Sequence, residues 1–531
     1  MWDKQDAREW TEPVGFRAGR AVGDGFMTSQ CQSSKQPIHL ASRKSRAVFW
    51  VTSPHCRWVP FPKYSMVDFM LRDIIVHLDI SNNYTTSYIY TAPTIPFVRP
   101  LATSANVATR TTTLSNGLTV ATEENPSSQT ATVGVWIDAG SRVESAETNG
   151  AAYFLEHLAF KGSKPSQIES LGGNFDAYTT REHSAFLAQT FNNNVAQTVD
   201  ILSEAVQNPN LSAIDEAREA ILKEQQKAAN NGEQIVFDHL HATAFQGEGL
   251  GRPIAGTPES IQAISRDDLS NFIKNNYAGD RMVLVGSGNV NHEELCKLAE
   301  QKFGSLSSGS LSSKLAQKPK FTGSEIRLRD DTLPEAHIAL AVEAPSLASP
   351  DYYVSLVMQS IIGSWDASLG GSSLLGSRLS TVVDKHHLAN NYFSFNTSYK
   401  DTGLFGIYFA TSNVTQIDDF VHFTQKEWAR LSQTVTEGEV ERAKQILKGS
   451  LLLGLDGNNA VAQDIATQVL ATGKRLSVQE VEQAISKVTV SDVHRVANNT
   501  LWDKEVAVVG HGPVEALTDY LRVRGFMSYN R

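Results

Sequence analysis

The residues most able to do chemistry lie close together in Tyr153-Phe-Leu-Glu-His-Leu-Ala-Phe-Lys-Gly162. The apolar spacing predicts a helix over 151–160, and residues four apart on a helix share a face. Tyr153 and His157 therefore point the same way, with Glu156 beside them. Histidine in place of Tyr153 would complete His-x-x-Glu-His. On such a helix two imidazoles hold zinc and the glutamate takes a proton from the metal-bound water. A phenol, with a pKa near ~10, is a poor ligand there at neutral pH. A catalytic zinc site needs three protein ligands and an open position for water. The segment reads as a metal-hydrolase helix with its first ligand exchanged. Glu156 is then a relict general base and His157 a relict ligand.

Other chemically suggestive stretches carry less. Ser364-Trp-Asp-Ala-Ser-Leu-Gly-Gly-Ser-Ser-Leu-Leu-Gly-Ser377 is rich in glycine and serine. It lacks the Gly-Lys-Ser/Thr ending of a phosphate loop and reads as a plain loop. His239 and His241 are two apart, so they do not share a helix face. His386 and His387 are adjacent and read as surface residues. The cysteines Cys31, Cys56 and Cys296 are too far apart for a zinc-binding pair or a disulfide scaffold. Net charge is −10 over 531 residues, which argues against a nucleic-acid binder, since that needs a basic face. No uninterrupted apolar run reaches the ~18 residues of a membrane span.

The chain around this helix is organised in parts. The first hundred residues hold 12 Lys/Arg and 8 Asp/Glu, leaving −14 for the remainder. They show no sustained periodicity. From about Asn82 to Ser104 there are hydroxyls and small residues but no acid, as in a mitochondrial presequence. Met66 is an alternative start. Regular structure is expected from near Thr111. Asn116-Gly117 sits between alternating residues and predicts a hairpin. Thr130–Asp138 predicts a strand, and Phe175–Phe191 two strands about Thr180-Arg-Glu-His183. Helices are expected over Ala196–Gln207, Ala213–Ala229 and Phe237–Ala244.

The pattern then repeats. Ala217-Arg-Glu-Ala-Ile-Leu-Lys-Glu224 is echoed by Arg442-Ala-Lys-Gln-Ile-Leu-Lys-Gly449. Ala263-Ile-Ser265 is echoed by Ala484-Ile-Ser486, and Val283–Gly288 by Val506–Gly512. The offsets are 225, 221 and 224 residues. Such a repeat predicts an α+β fold of two similar halves. The expected divisions are an N-terminal extension over 1–105, a first half over 106–304, a serine-rich linker over 305–322 and a second half over 323–531.

Tyr153–His157 and the Leu158-Ala-Phe-Lys-Gly162 that follows resemble the pitrilysin-type (M16) metallopeptidase family. The resemblance runs from about Thr111 to Arg531. It includes Gly323-Ser-Glu-Ile-Arg-Leu-Arg-Asp-Asp331, Asn396–Gly406 and Asp519-Tyr-Leu-Arg-Val-Arg524. It is closest to the branch holding core protein 1 of the mitochondrial cytochrome bc1 complex and the beta subunit of mitochondrial processing peptidase. It implies two homologous halves and places Glu224 at the third zinc ligand. With Tyr153 replacing the first histidine, the expectation is a structural core subunit of complex III that holds no cofactor. Zinc would be bound only if the residual site works. The implied partners are core protein 2 and the membrane subunits of that complex, on the matrix side of the inner membrane. Two other readings remain: an active beta subunit that cleaves presequences beside an alpha subunit, and a module that binds presequence peptides without cutting them.

Overall fold

The structure is a computed structural model that describes residues 38–39, 48–49, 108–161, 164–309, 318–369 and 376–528. The expected presequence, the alternative start at Met66, residues 310–317 of the linker and residues 370–375 of the glycine-serine stretch lie outside the described residues. The chain divides into two units, 1–96 and 97–531. In the first, β1 (Ile38–His39) pairs antiparallel with β2 (Val48–Phe49).

The second unit contains two six-stranded mixed sheets with helices packed on them, an α+β fold in two similar halves. The first half has β3 (Arg110–Thr113), β4 (Thr119–Glu124), β5 (Thr130–Ile137), β6 (Asn174–Thr179), β7 (Ser184–Phe191) and β8 (Met282–Gly288). Its helices are α1 (Ala151–Ala159), α2 (Lys164–Ser170), α3 (Val195–Gln207), α4 (Ile214–Ala228), α5 (Gly232–Ala244), α6 (Pro258–Ala263), α7 (Arg266–Asn276) and α8 (His292–Phe303). The second half has β9 (Ser324–Arg329), β10 (Ala336–Glu343), β11 (Ser364–Asp366), β12 (Asn391–Ser398), β13 (Gly403–Thr411) and β14 (Ala507–Gly512). Its helices are α9 (Tyr352–Ile362), α10 (Arg378–His386), α11 (Ile417–Gln433), α12 (Glu437–Gly454), α13 (Asn458–Thr472), α14 (Val478–Lys487), α15 (Val490–Thr500) and α16 (Tyr520–Phe526).

The sheets run in the orders β3-β4-β8-β5-β7-β6 and β11-β12-β13-β10-β14-β9. Reversing the second gives a match: β9, β14, β10, β13 and β12 correspond to β4, β8, β5, β7 and β6. In each half one pair is parallel, β4 with β8 and β9 with β14. The duplication read from short strings is thus a duplication of topology. The β3–β4 hairpin turns at Gly117, whose φ of +90° suits a residue without a side chain. A Cβ there would lie 2.7 Å from the Asp280 side chain.

One face of each sheet is covered by helices of its own half, around Phe154, Leu158, Phe186, Leu202 and Ile221 in the first and Met358, Phe405, Phe420 and Trp428 in the second. Burying each such side chain contributes about 1.5–3 kcal/mol. The other faces are covered by exchange. Helix α5 of the first half lays Val236, Leu240 and Ala244 on Ala339, Tyr408 and Val509 of the second sheet. Helix α13 of the second half lays Ala462, Ile465 and Ala466 on Trp136, Leu187 and Val285 of the first. Alpha5 and α13 occupy equivalent places in the repeat. Gly232 at the start of α5 approaches His337 so closely that a Cβ would sit 2.3 Å from its ring.

The described ends of the stretch 364–377 are not plain loop. Ser364–Asp366 pairs with Asn391–Phe393 at the edge of the second sheet, and Ser377 caps α10 by accepting from Ser380 N. Composition hid the strand because Trp365 and Asp366 are flanked by small residues.

Candidate functional site

Helix α1 carries Tyr153, Glu156 and His157, and its start is fixed from outside. Gly150 at its N-cap, with φ of +97°, offers no side chain. Glu144 supplies the missing acceptor. Its Oε1 accepts from Ala152 N at 2.8 Å, and its Oε2 from Gly150 N at 2.7 Å and Asn149 Nδ2 at 2.8 Å. The two backbone bonds, from Gly150 and Ala152, use N–H groups that a helix start leaves free. Burial pushes the Glu144 carboxyl up to about 7, although those donors oppose the rise. The sequence reading missed Glu144, which lies seven residues ahead of the helix.

Helix α4 presents Glu224 to α1. Ala217 and Ile221 join the same core as Phe154 and Leu158, and the spacing 217, 221, 224 follows one helical face. Gln225 Nε2 anchors the helix by donating to Ala255 O at 2.9 Å and Gly256 O at 3.1 Å.

The four residues expected at the site come together. Tyr153 OH donates to Glu224 Oε2 at 2.8 Å, and His157 Nε2 lies 3.2 Å from the same oxygen. The Tyr153 and His157 rings meet edge to face, with centroids 4.7 Å apart. Burial raises the Tyr153 phenol above its ordinary pKa, and the Glu224 carboxylate adds to the effect. Burial lowers the His157 imidazole, which Glu224 partly offsets. Burial pushes Glu156 up to about 7, with repulsion from Glu224 and Asp176 adding to it. Glu156 Oε2 is buried with no hydrogen-bond partner.

Whether these groups suit zinc depends on the donor set. The separation of His157 Nε2 and Glu224 Oε2 suits two ligands of one tetrahedral ion, given metal–ligand bonds of about 2.0–2.2 Å. The unpartnered Glu156 oxygen would suit a carboxylate waiting for a metal-bound water. The third donor is a phenol whose O–H is spent in a hydrogen bond to Glu224. One imidazole, one carboxylate and a protonated phenol fall short of three ligands, and the set does not fit a catalytic zinc. Among the described residues no group of three or more His, Cys, Asp or Glu side chains is placed to hold a metal ion.

A cleft of about 680 Å³ opens beside the cluster, lined by Tyr153, Glu224, Asn231, Asp238 and His239 among others. His241 points elsewhere: buried, it meets Tyr399 OH at 2.7 Å through Nε2. His386 and His387 are exposed, as expected. Cys296 is half-buried, with its Sγ 3.6 Å from His292 Nε2. A larger groove of about 1050 Å³ is lined by second-half residues such as Tyr352, Tyr353, Leu451 and Val481, and includes none of the site residues. Among the described residues no helix is long and apolar enough to cross a membrane.

A polar lock between the two halves was also not anticipated. Arg142 Nη1 donates to Glu182 Oε1 at 2.6 Å and to Asp401 Oδ1 at 3.0 Å, and its Nη2 donates to Asp401 Oδ2 at 2.5 Å. Lys400 N donates to Glu182 Oε2 at 3.0 Å. The β6–β7 turn of the first half is thereby joined to the β12–β13 turn of the second.

Comparison with known proteins matches residues 119–258 to the family model "Insulinase (Peptidase family M16)" and residues 263–447 to "Peptidase M16 inactive domain". The mitochondrial-processing peptidase subunit beta of Lentinula edodes is 52% identical, over 81% of this chain and 96% of that protein. The human protein of the same name is 42% identical, over 80% and 88%. A chain in the structure of complex III2 from Candida albicans with Inz-5 bound has a TM-score of 0.73. It is 32% identical, over 79% of this chain and all of that one. These similarities overturn the expectation of a structural core subunit of complex III. Proteins named as processing-peptidase beta subunits match this chain at 42–52% identity, against 32% for the complex III chain. The exchange of one ligand at Tyr153 bears on metal binding and does not decide which assembly a chain joins.

Proposed function

Because the chain belongs to peptidase family M16, we propose that it serves as a beta-type subunit of a mitochondrial processing peptidase, engaging the presequences of imported proteins beside an alpha-type subunit. The observation that carries this reading is the similarity to proteins named as such beta subunits, which extends through both halves. The place of action is the mitochondrion, on the matrix side. The chain's own groups hold and orient the peptide. Presequences are Arg-rich and poor in acids. The chain beyond its first hundred residues carries −14 and draws such peptides in. Glu224 and Asp238 line the cleft next to α1; their carboxylates already meet Tyr153 and Arg181, and each keeps a second oxygen that can accept from a basic side chain. No hydrolytic step is assigned to Tyr153, His157 and Glu224, whose donor set falls short of a catalytic zinc site.

The test is to co-express the full chain with a processing-peptidase alpha subunit and titrate the purified product with a fluorescent synthetic presequence. The expected result is a heterodimer on size exclusion and peptide binding that weakens as salt is raised. A chain that elutes alone and fails to bind the peptide at low salt would overturn the proposal.

A further inference from the structure

We infer that Tyr153 takes the place of a metal: its hydroxyl, donating to Glu224 beside His157, braces α1 against α4 directly, and this cluster excludes the zinc that a histidine in its place would bind. The inference goes beyond the proposed function and is independent of which peptide or partner the chain engages.

The geometry supports it in three steps. First, His157 and Glu224 stand as two ligands of one ion would, with 3.2 Å between Nε2 and Oε2. The helices are therefore already spaced for a shared ligand. Second, a phenol is longer than an imidazole, so its oxygen passes beyond the point where a ring nitrogen would stop. It reaches the Glu224 carboxylate itself, at 2.8 Å. The hydroxyl thus spans a gap that a metal would otherwise bridge. Third, a hydroxyl that donates to a carboxylate keeps its proton and offers zinc no anionic oxygen. Zinc binding here would require breaking the Tyr153–Glu224 bond and moving the ring off His157, which it contacts at 4.7 Å between centroids. What remains is a two-ligand site, weaker than the three-ligand sites that hold catalytic zinc.

Replacing Tyr153 by histidine should reverse all three. Positions 153 and 157 share a helix face, so both imidazoles would reach the Glu224 carboxylate. No other change in α1 or α4 is required by the geometry.

The experiment titrates the full chain with zinc alone, against a chromogenic competitor, with circular dichroism to confirm folding. The wild type is expected to show no one-to-one site. Tyr153→His is expected to gain a one-to-one zinc site, from the addition of a third ligand. Tyr153→His combined with Glu224→Gln should lose most of that gain. A wild-type chain that binds one zinc tightly, and loses it on His157→Ala, would overturn the inference. So would a folded Tyr153→His variant that binds zinc no better than the wild type. Should Tyr153→His fail to fold, the wild-type titration still decides the first point. No presequence enters the assay, so its outcome is separate from that of the proposed function.

Discussion

Removing Arg142 tests whether the two halves are held together at their facing turns by charge. Its guanidinium side chain is 10% exposed and meets Glu182, 20% exposed, and Asp401, 28% exposed. Removing one partner of a buried ion pair costs about 3–5 kcal/mol, because a desolvated charge is left alone. Arg142→Met strands two carboxylates and should cost about 4 kcal/mol. Asp401→Asn leaves Arg142 with Glu182 and keeps a hydrogen-bonding side chain, so the lower end applies, about 3 kcal/mol. In the double variant the uncharged amide at position 401 no longer suffers from the loss of arginine. The combined cost should be about 5 kcal/mol against about 7 for additivity, a coupling of about 2 kcal/mol. For the unit Phe97–Arg531, an unfolding entropy of about 2 cal/mol/K per residue converts 3 kcal/mol into a fall in Tm of only about 3 °C. Urea midpoints are therefore the better assay, with hydrogen exchange at Thr180–His183 and Tyr399–Asp401 as the local readout. Costs that add to within about 0.5 kcal/mol would refute the reasoning, as would exchange that rises in only one of the two turns.

Three further perturbations follow from the same structure. Burial raises Glu156 to about 7, above its unfolded value of about 4.3. Its contribution to stability is therefore complete below about pH 4 and is lost as pH rises through about 7. Between about pH 6 and 8 the wild type should lose about 1 kcal/mol that Glu156→Gln retains, and parallel urea profiles for the two would count against it. Ile465→Ala empties a fully buried position between α13 and the first sheet. It should cost about 2–5 kcal/mol, and calorimetry showing less than about 1 kcal/mol would mean the exchanged helix is loosely held. Glu144→Ala removes the acceptor for the Gly150 and Ala152 backbone N–H groups and the Asn149 side-chain amide, and should cost about 2 kcal/mol. Exchange should rise at Gly150 and Ala152 first, and protection unchanged at those amides would refute the capping role.

The parts of the fold legible in the sequence were those fixed by local periodicity. Asn116-Gly117, the alternation in Thr130–Ile137 and the apolar spacing of Ala151–Ala159 each determine a local conformation that tertiary packing does not override. The site was legible for the same reason, since Tyr153, Glu156 and His157 share one helix. What could not be read were the contacts between distant segments. Arg142 and Asp401 are 259 residues apart, and neither stands out from its neighbours in type or spacing. The apolar face of α5 announces that it is covered, and nothing in Val236, Leu240 and Ala244 says by which sheet. The same limit explains the misjudged assembly. Tyr153 reports on a metal, whereas the choice between processing peptidase and complex III rests on surfaces that no motif marks.

The exchange of α5 and α13 links these two levels. Alpha4, which carries Glu224, is followed after three residues by α5, whose buried face belongs to the other half. The position of Glu224 relative to α1 is therefore set from both sides: by Ala217 and Ile221 in the first core, and by the anchoring of α5 on the second sheet. A direct bond from Tyr153 to Glu224 fixes the same distance a third time. Where a metal would join α1 to α4 only when bound, the hydroxyl joins them without one. The cleft beside them can then keep its shape without an ion, as the proposed binding of a presequence without hydrolysis would require.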